Sequence, residues 1–390
     1  MRQFTALCGV LAAFAGTGGA ALAGGVDRSG QPIGIIFETG NYVELSYGQI
    51  NPSVSGNDLA IYGGRATGSV ADKHGLPGLA IKYNFNDKLS GALIYDNAYG
   101  ADIAYATAAE GGSAMLGGTS AMLDSEGITG ILRYKFNDNF SAHGGIRASK
   151  ASAEVNLAGL AYGPVNGYNV QFDKDWGTGY LAGVAYEKPE IALRVAVTYF
   201  SKVKHKFDTV ETFASNIVNP ATGAVLVPGG LPLGSVTEVN TPQAVNIDVQ
   251  SGIAKDTLLF GSIRWVDWSS FDISPQTFSA VTGGGLVSLE DTTTYTLGVG
   301  RKFNDNWSGS AFVTYEPSGD PLVSPLAPTN GYKGIGLAAV YTQDNMKVTF
   351  GARYLDLGNA QAETGTPDTA RADMTSNHAV AVGVKVGFTF

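Results

Sequence analysis

The residues that could do chemistry are few and scattered. The histidines His74, His143, His205 and His378 have no spacing at which two would share a metal ion. There is no G-x-S-x-G, no H-E-x-x-H, no P-loop, and no G-x-G-x-x-G that opens a helix. Ser141 and His143 share one face of an alternating segment, so they are the one nucleophile–base pair to consider. Isolated histidines and chance pairs of acids are otherwise expected in an acidic chain. What stands out is a set of cations embedded in apolar alternation: Arg133, Arg147, Arg194, Arg264, Arg353 and Lys385. A guanidinium can hold a carboxylate through two parallel hydrogen bonds. Such a cation could therefore anchor an anionic head group, or it could pair with acids of the same interior. Nothing in the sequence calls for a cofactor or a metal.

These side chains must be positioned by a particular kind of chain. It has 390 residues, 44% hydrophobic and only 15% charged, with 53 Gly, one Cys and a net charge of −9. Charge is too low and apolar content too high for disorder. The acidic balance argues against a nucleic-acid partner, which would select a basic face.

Residues 1–23 read as a secretory signal peptide: Arg2 precedes an apolar run from Phe4 to Ala15, and Ala21-Leu-Ala23 forms a small-x-small cleavage site. Cleavage removes Cys8, the only cysteine, so the exported chain cannot be a disulfide scaffold. The longest uncharged stretch, Thr212 to Thr237, contains Pro220, Pro228 and Pro232, which forbid a spanning helix. A membrane location would therefore require a closed barrel, because lipid offers no partner to an open strand edge.

The remainder reads as strands joined by a recurring turn. Phe85-Asn-Asp-Lys-Leu-Ser90, Phe136-Asn-Asp-Asn-Phe-Ser141 and Phe303-Asn-Asp-Asn-Trp-Ser308 are near-identical. Asn and Asp tolerate left-handed backbone angles and bond their own turn, so each segment predicts a tight hairpin. Glu187 to Glu190, Ala254 to Thr257 and Thr342 to Asn345 do the same with different letters. Short turns alternate with long Gly-, Ser- and Pro-rich loops. The pattern predicts fourteen antiparallel strands: 42–54, 77–86, 88–103, 122–136, 139–157, 176–187, 190–208, 238–253, 257–273, 290–303, 306–316, 332–342, 346–357 and 378–390. An even count with alternating short and long connections is the signature of an all-β outer-membrane barrel. A propeller would need four short strands per unit and a sandwich shorter strands.

Strand parity assigns the faces. In the last strand His378, Val380, Val382, Val384, Val386, Phe388 and Phe390 alternate with small residues and Lys385. Turning Lys385 to lipid would cost roughly 2–4 kcal/mol, so the valines face out. By the same argument Ile146 and the row from Ile191 to Tyr199 face lipid, while His143, Arg147 and Arg194 face the lumen. Arg133 alternates with Leu132 and Tyr134. The register of Arg264 is ambiguous, because Trp265 and Trp268 cannot share a face. Tyr83, Phe85, Tyr134, Phe136, Phe140, Tyr186 and Trp307 gather beside the short turns, as an interfacial aromatic girdle does.

Residues 209–237 form a long loop carrying Phe213, Ile217, Val225, Leu226 and Leu231. An exposed apolar loop is a liability unless it binds something apolar or packs on the barrel mouth. Leu157 to Tyr162, with Leu160 and Tyr162, is the loop expected beside it.

Thr241-Pro-Gln-Ala-Val245, followed after a strand and a turn by Trp265-Val-Asp-Trp-Ser-Ser-Phe271, resembles the outer-membrane transporters of long-chain fatty acids and aromatic hydrocarbons, the FadL/TodX type. Asp291 to Gly300 and Asn306 to Ser318 continue the likeness, which is good over about residues 235–390 and looser before. The resemblance implies a barrel over 42–390 and an amino-terminal hatch that plugs it, here only residues 24–41. Phe37, Glu38 and Asn41 stand where the family ends its hatch in Asn-Pro-Ala-Gly, and the proline is missing. It also implies passive transport of a hydrophobic molecule, a greasy outer landing groove, and sideways exit into the bilayer. Arg133, Arg147, Arg194, Arg353 and Lys385 are then the candidate lumen cations for a ligand head group. The aromatic last residue, Phe390, would be the signal read by the outer-membrane assembly machinery. The expected setting is the lipid and lipopolysaccharide of a Gram-negative outer membrane, with a monomeric protein. The rival functions are a general diffusion porin for polar solutes and a barrel enzyme or adhesin.

Overall fold

The computed structural model describes residues 26–365 and 367–390. The expected signal peptide, with Cys8, and the first two hatch residues lie outside them. Among the described residues fourteen antiparallel strands form one closed wall. They are β1 (Tyr42–Asp58), β2 (His74–Asn84), β3 (Leu89–Asp96, resuming Gly100–Ala104), β4 (Ser120–Lys135), β5 (Phe140–Leu157), β6 (Tyr168–Lys188) and β7 (Leu193–Phe200, resuming Lys204–Thr212). Then come β8 (Leu233–Asn240, resuming Ala244–Ala254), β9 (Thr257–Val266), β10 (Thr292–Lys302), β11 (Trp307–Glu316), β12 (Tyr332–Gln343), β13 (Met346–Leu357) and β14 (Thr369–Thr389). Each strand pairs with the next, and β1 pairs with β14 from Tyr42 opposite Thr389 to Asp58 opposite Ala372. Closure leaves no free edge, the condition lipid imposes.

The repeated turn works as its letters require. The Asn86 side-chain oxygen accepts the backbone N–H groups of Lys88 and Leu89 at 2.9 Å each. Asn137 accepts from Asn139 and Phe140 at 2.9 and 2.8 Å, and Asn304 from Asn306 and Trp307 at 3.0 and 2.9 Å. The other short turns instead place Ala192, Asp256 and Asp344 at positive φ. Neighbouring turns are tied into a rim: Asn139, Asn306 and Asn345 donate their side-chain amides to the carbonyls of Glu187, Thr342 and Thr389.

Parity holds through the wall. Val380, Val382 and Phe388 are exposed outward, and Lys385 is buried inward 3.3 Å from Glu44. Ile146 is 68% exposed, whereas Arg133, His143 and Arg147 are buried. Outward aromatics pack edge to face or tilted near the short turns, as in Tyr134–Phe136 and Trp307–Tyr341 with centroids 5.4 and 5.0 Å apart.

Several strand ends differ from expectation for one reason. β6 starts at Tyr168 rather than 176, and β14 at Thr369 rather than 378. Beyond the membrane, the outward face meets water and the inward face meets the core, so the apolar parity inverts. A bulge opposite Ala151–Ala153 makes the switch: Tyr168, Val170 and Phe172 point inward above it, Leu181 and Ala185 below it. β9 ends at Val266, not 273; the chain turns at Asp267, and Trp268 swings inside the barrel, 1% exposed. Residues 267–291 form a cover carrying a short helix, α1 (Gln276–Thr282). Pro242 breaks β8, since it has no N–H to give the ladder.

The face assignment is testable. Val382→Arg sets a charge on the outward mid-wall and should destabilise the folded barrel by about 2–4 kcal/mol in lipid. Denaturant titration in vesicles, read by the heat-modifiable gel mobility of folded barrels, measures it.

Candidate functional site

Residues 26–41 run inside the wall rather than along it. Val26, Ile33, Ile35 and Ile36 are buried, and a single 3-10 turn spans Gly34–Phe37. The segment is held almost entirely by ions and amides, because a backbone without regular structure must find partners on the lumen wall. Arg264 donates to Asp27 at 2.7 Å, to Asn246 at 2.8 Å and to Gln31 at 3.3 Å. Its register, ambiguous in sequence, is inward. Lys347 pairs with Glu38 at 2.9 Å, and Lys82 donates to the carbonyls of Glu38 and Gly40 at 2.8 and 2.9 Å. The Asn41 side chain accepts the Asn84 N–H at 2.9 Å. The Phe37 ring has the guanidinium carbons of Arg133 and Arg194 at 4.5 and 4.4 Å from its centroid.

The candidate cations thus all face the lumen and are all engaged. Arg133 pairs with Glu187 and donates to Ser141 at 3.1 Å. Arg147 pairs with Asp96 at 2.8 Å, and Arg194 donates to Gln250 at 2.9 Å. Arg353 lies 5.0 Å from the Phe312 ring centroid. Ser141 and His143 do not meet as nucleophile and base: Ser141 serves Arg133, while His143 contacts Thr198 at 2.9 Å. Lys82 and Lys347 were not singled out from sequence; their inward parity was the available signal.

Three internal spaces follow. A cavity of about 210 Å³ lies beside the hatch with a mixed lining, in which Ile33, Leu76, Leu79 and Phe260 stand among Asp248, Thr296, Glu316, Arg353 and Lys385. A wider space of about 520 Å³ opens at the short-turn end among Lys82, Lys88, Lys135 and Asp138. Phe37, Glu38, Arg194 and Gln250 line both, so they form the partition. The third space is apolar and lies in the long-loop half, walled by Val26, Tyr99, Phe172, Phe207, Trp268 and Phe271. It belongs to a buried column that continues through Tyr168, Phe213, Ile217 and Phe278.

Of the loop residues expected to be greasy and exposed, Phe213 and Ile217 are buried in this column. Leu160, Val225, Leu226 and Leu231 remain exposed, and Tyr162 is partly buried against the core. The two loops are neighbours: a Cβ on Gly167 would fall 2.6 Å from Ala214. The cover above the column is fastened by Glu211. Its fully buried carboxylate accepts the Tyr168 hydroxyl at 2.9 Å and the N–H groups of Thr277 and Phe278 at 2.8 and 2.7 Å, at the start of α1.

The β2–β3 ladder is interrupted beside this region, as is the β6–β7 ladder between the pairs Phe172–Thr209 and Leu181–Phe200. β2 and β3 pair from Leu79 opposite Tyr95 to Asn84 opposite Ser90. Beyond that, β2 keeps only its β1 partner over Gly75–Gly78, and β3 breaks at residues 97–99. Pro77, which lacks an N–H, is tolerated there because that side of β2 has no ladder to feed. The hatch supplies the missing bonds: Gly100 donates to the Val26 carbonyl at 2.9 Å, and Arg28 to the Ala98 carbonyl at 2.7 Å. A Cβ at Gly100 would sit 2.3 Å from the Arg28 guanidinium, so any larger residue there would push that side chain aside.

A family of outer membrane protein transport proteins (OMPP1/FadL/TodX) matches residues 8–390. The chain belongs to that family. It is therefore an outer-membrane transport protein and not an enzyme. Solved FadL/TodX-type structures share the fold. A Pseudomonas aeruginosa FadL homologue is 16% identical over 92% of each chain, with a TM-score of 0.72. The Pseudomonas putida toluene transporter TodX is 13% identical over 92% of each, TM-score 0.61. The Ralstonia pickettii toluene transporter TbuX is 12% identical over 90% of each, TM-score 0.59. No curated protein matches the chain in sequence. Within this FadL/TodX-type barrel, the ion pair between Asp27 and Arg264 is the deepest tie between hatch and wall.

Arg264→Gln should cost about 3–5 kcal/mol by leaving Asp27 buried without its counter-ion. The double variant Asp27→Asn/Arg264→Gln should regain most of it. A double-mutant cycle by urea unfolding in detergent reads the coupling.

Proposed function

We propose that this barrel carries small hydrophobic molecules, fatty acids or aromatic hydrocarbons, passively from the cell exterior into the outer membrane. Ligand partitions onto the exposed residues Leu160, Val225, Leu226 and Leu231, enters the apolar column beneath the α1 cover, and leaves sideways between β2 and β3. The observation that carries this reading is that Val26 and Tyr99, two walls of the apolar cavity, lie at the break in β3. The buried apolar cluster continues past them through Ile33, Ile35 and Ile36. Toward the short turns it is crossed by ion pairs of the hatch, whose charge-assisted bonds a molecule leaving that way would have to displace. Exit through the wall avoids those pairs. The relatives named as toluene transporters support the ligand class.

On this reading residues 24–41 act as the hatch, with Phe37, Glu38 and Asn41 as its fixed end. Arg133 and Arg194 hold the hatch at Phe37, Arg353 and Lys385 line the chamber beside it, and Arg147 pairs with Asp96, leaving head-group binding to a molecule that can displace one of their present partners. The protein works as a monomer in the lipid and lipopolysaccharide bilayer, delivered by the outer-membrane assembly machinery.

Uptake of labelled toluene and oleate by cells with and without the protein tests the function and ranks the ligands. Val155→Lys, which puts a charge into the column, should cut uptake about tenfold or more while leaving a heat-modifiable, folded barrel. Exit is tested separately. A bulky thiol adduct on Lys88→Cys blocks the periplasmic vestibule and should leave uptake unchanged; loss of uptake would redirect the exit to that mouth. The porin alternative draws on the two polar chambers. Since Phe37 divides them, the barrel should show little steady conductance in planar bilayers, and Phe37→Ala should raise it.

A further inference from the structure

His205 is 1% exposed and lines the apolar cavity among Phe172, Phe207 and Trp268. Its ring stacks on Phe207, with centroids 5.4 Å apart and planes 13° from parallel. The Asp175 carboxylate lies 3.3 Å from Nδ1 as a charged neighbour, and neither ring nitrogen makes a hydrogen bond within the protein. Two other polar side chains of the cavity already make hydrogen bonds. The Ser125 hydroxyl donates to the Tyr99 carbonyl at 2.6 Å, and the Thr241 hydroxyl accepts the Val203 N–H at 3.0 Å. A carboxylate beside Nδ1 favours the tautomer with the proton on that nitrogen, which leaves Nε2 as an acceptor. A buried acceptor left unpaired in an apolar site is costly, and the cost is relieved by a ligand that brings a donor.

We infer that His205, oriented by Asp175, makes this cavity selective for hydrophobic molecules that carry one hydroxyl group, such as alkylphenols, over hydrocarbons of the same shape. The inference rests on the apolar column being the ligand path. A hydroxyl hydrogen bonds to Nε2 while the ring or chain enters between Phe172, Phe207 and Trp268, widening a space that is about 40 Å³ in this structure. His205 then acts as a specificity-determining residue, and Asp175 positions it.

The test compares isosteres on the full barrel in lipid nanodiscs, by equilibrium dialysis corrected against empty nanodiscs. The wild type should bind p-cresol about three- to tenfold more tightly than p-xylene, the range one neutral hydrogen bond supplies. p-Methylanisole, which has oxygen but no O–H, should bind like p-xylene. His205→Phe should abolish the preference and keep p-xylene binding, which also shows that the variant is folded. His205→Gln, which retains an acceptor, should keep part of the preference. A wild type without preference, or a preference that survives His205→Phe, overturns the inference while leaving the transport reading intact. Failure of the wild type to bind any of the three compounds overturns both.

Discussion

Every strand of this wall must find partners for its backbone donors and acceptors on both sides, because the medium around it supplies none. That constraint explains the closure of β1 on β14 and the even strand count. It also makes the interruption between β2 and β3 informative. Where β3 breaks and β2 loses its partner, the amide of Gly100 is satisfied by the carbonyl of Val26 instead. The amino-terminal segment therefore supplies backbone partners that the sheet itself lacks at this place.

A second constraint divides the interior. Near the short turns, inward positions are cationic and must be paired, so Arg133, Lys347 and Lys385 find Glu187, Glu38 and Glu44, and further up the wall Arg264 finds Asp27. Toward the long loops, inward positions are aromatic and aliphatic, and they close around Trp268. The boundary between these regions lies at Val26 and Asp27, adjacent residues with opposite surroundings. One joins the apolar column and the other the ion pair with Arg264.

The cover over the column shows how a buried charge can serve as a fastener. Glu211 lies on the extension of β7, beyond the membrane, and its carboxylate receives two backbone N–H groups and one hydroxyl. Three donors to one anion satisfy the charge and fix where α1 sits. The same device recurs at Asp58, which takes the Ser113 hydroxyl and the Ala114 N–H to bind another outer loop to β1.

By itself, the sequence determined whatever depends on neighbours along the chain. The Asn-Asp turns, the alternation that sends Val382 out and Lys385 in, and the number of strands are local patterns with local causes. So is the Trp265 to Phe271 element that carries the family likeness. The tertiary structure decided what depends on residues far apart. Arg264 could be placed only when Asp27, distant in sequence, arrived beside it. Trp268 left its strand because a column of aromatics existed to receive it. The start of β6 was hidden because the outward face changes from lipid to water at the bulge, and alternation reports only which face is apolar, not which medium it meets. The break in β3 was illegible for the same reason. Nothing local marks residues 97–99 as unpaired; their partner is the far end of the chain, folded back through the lumen.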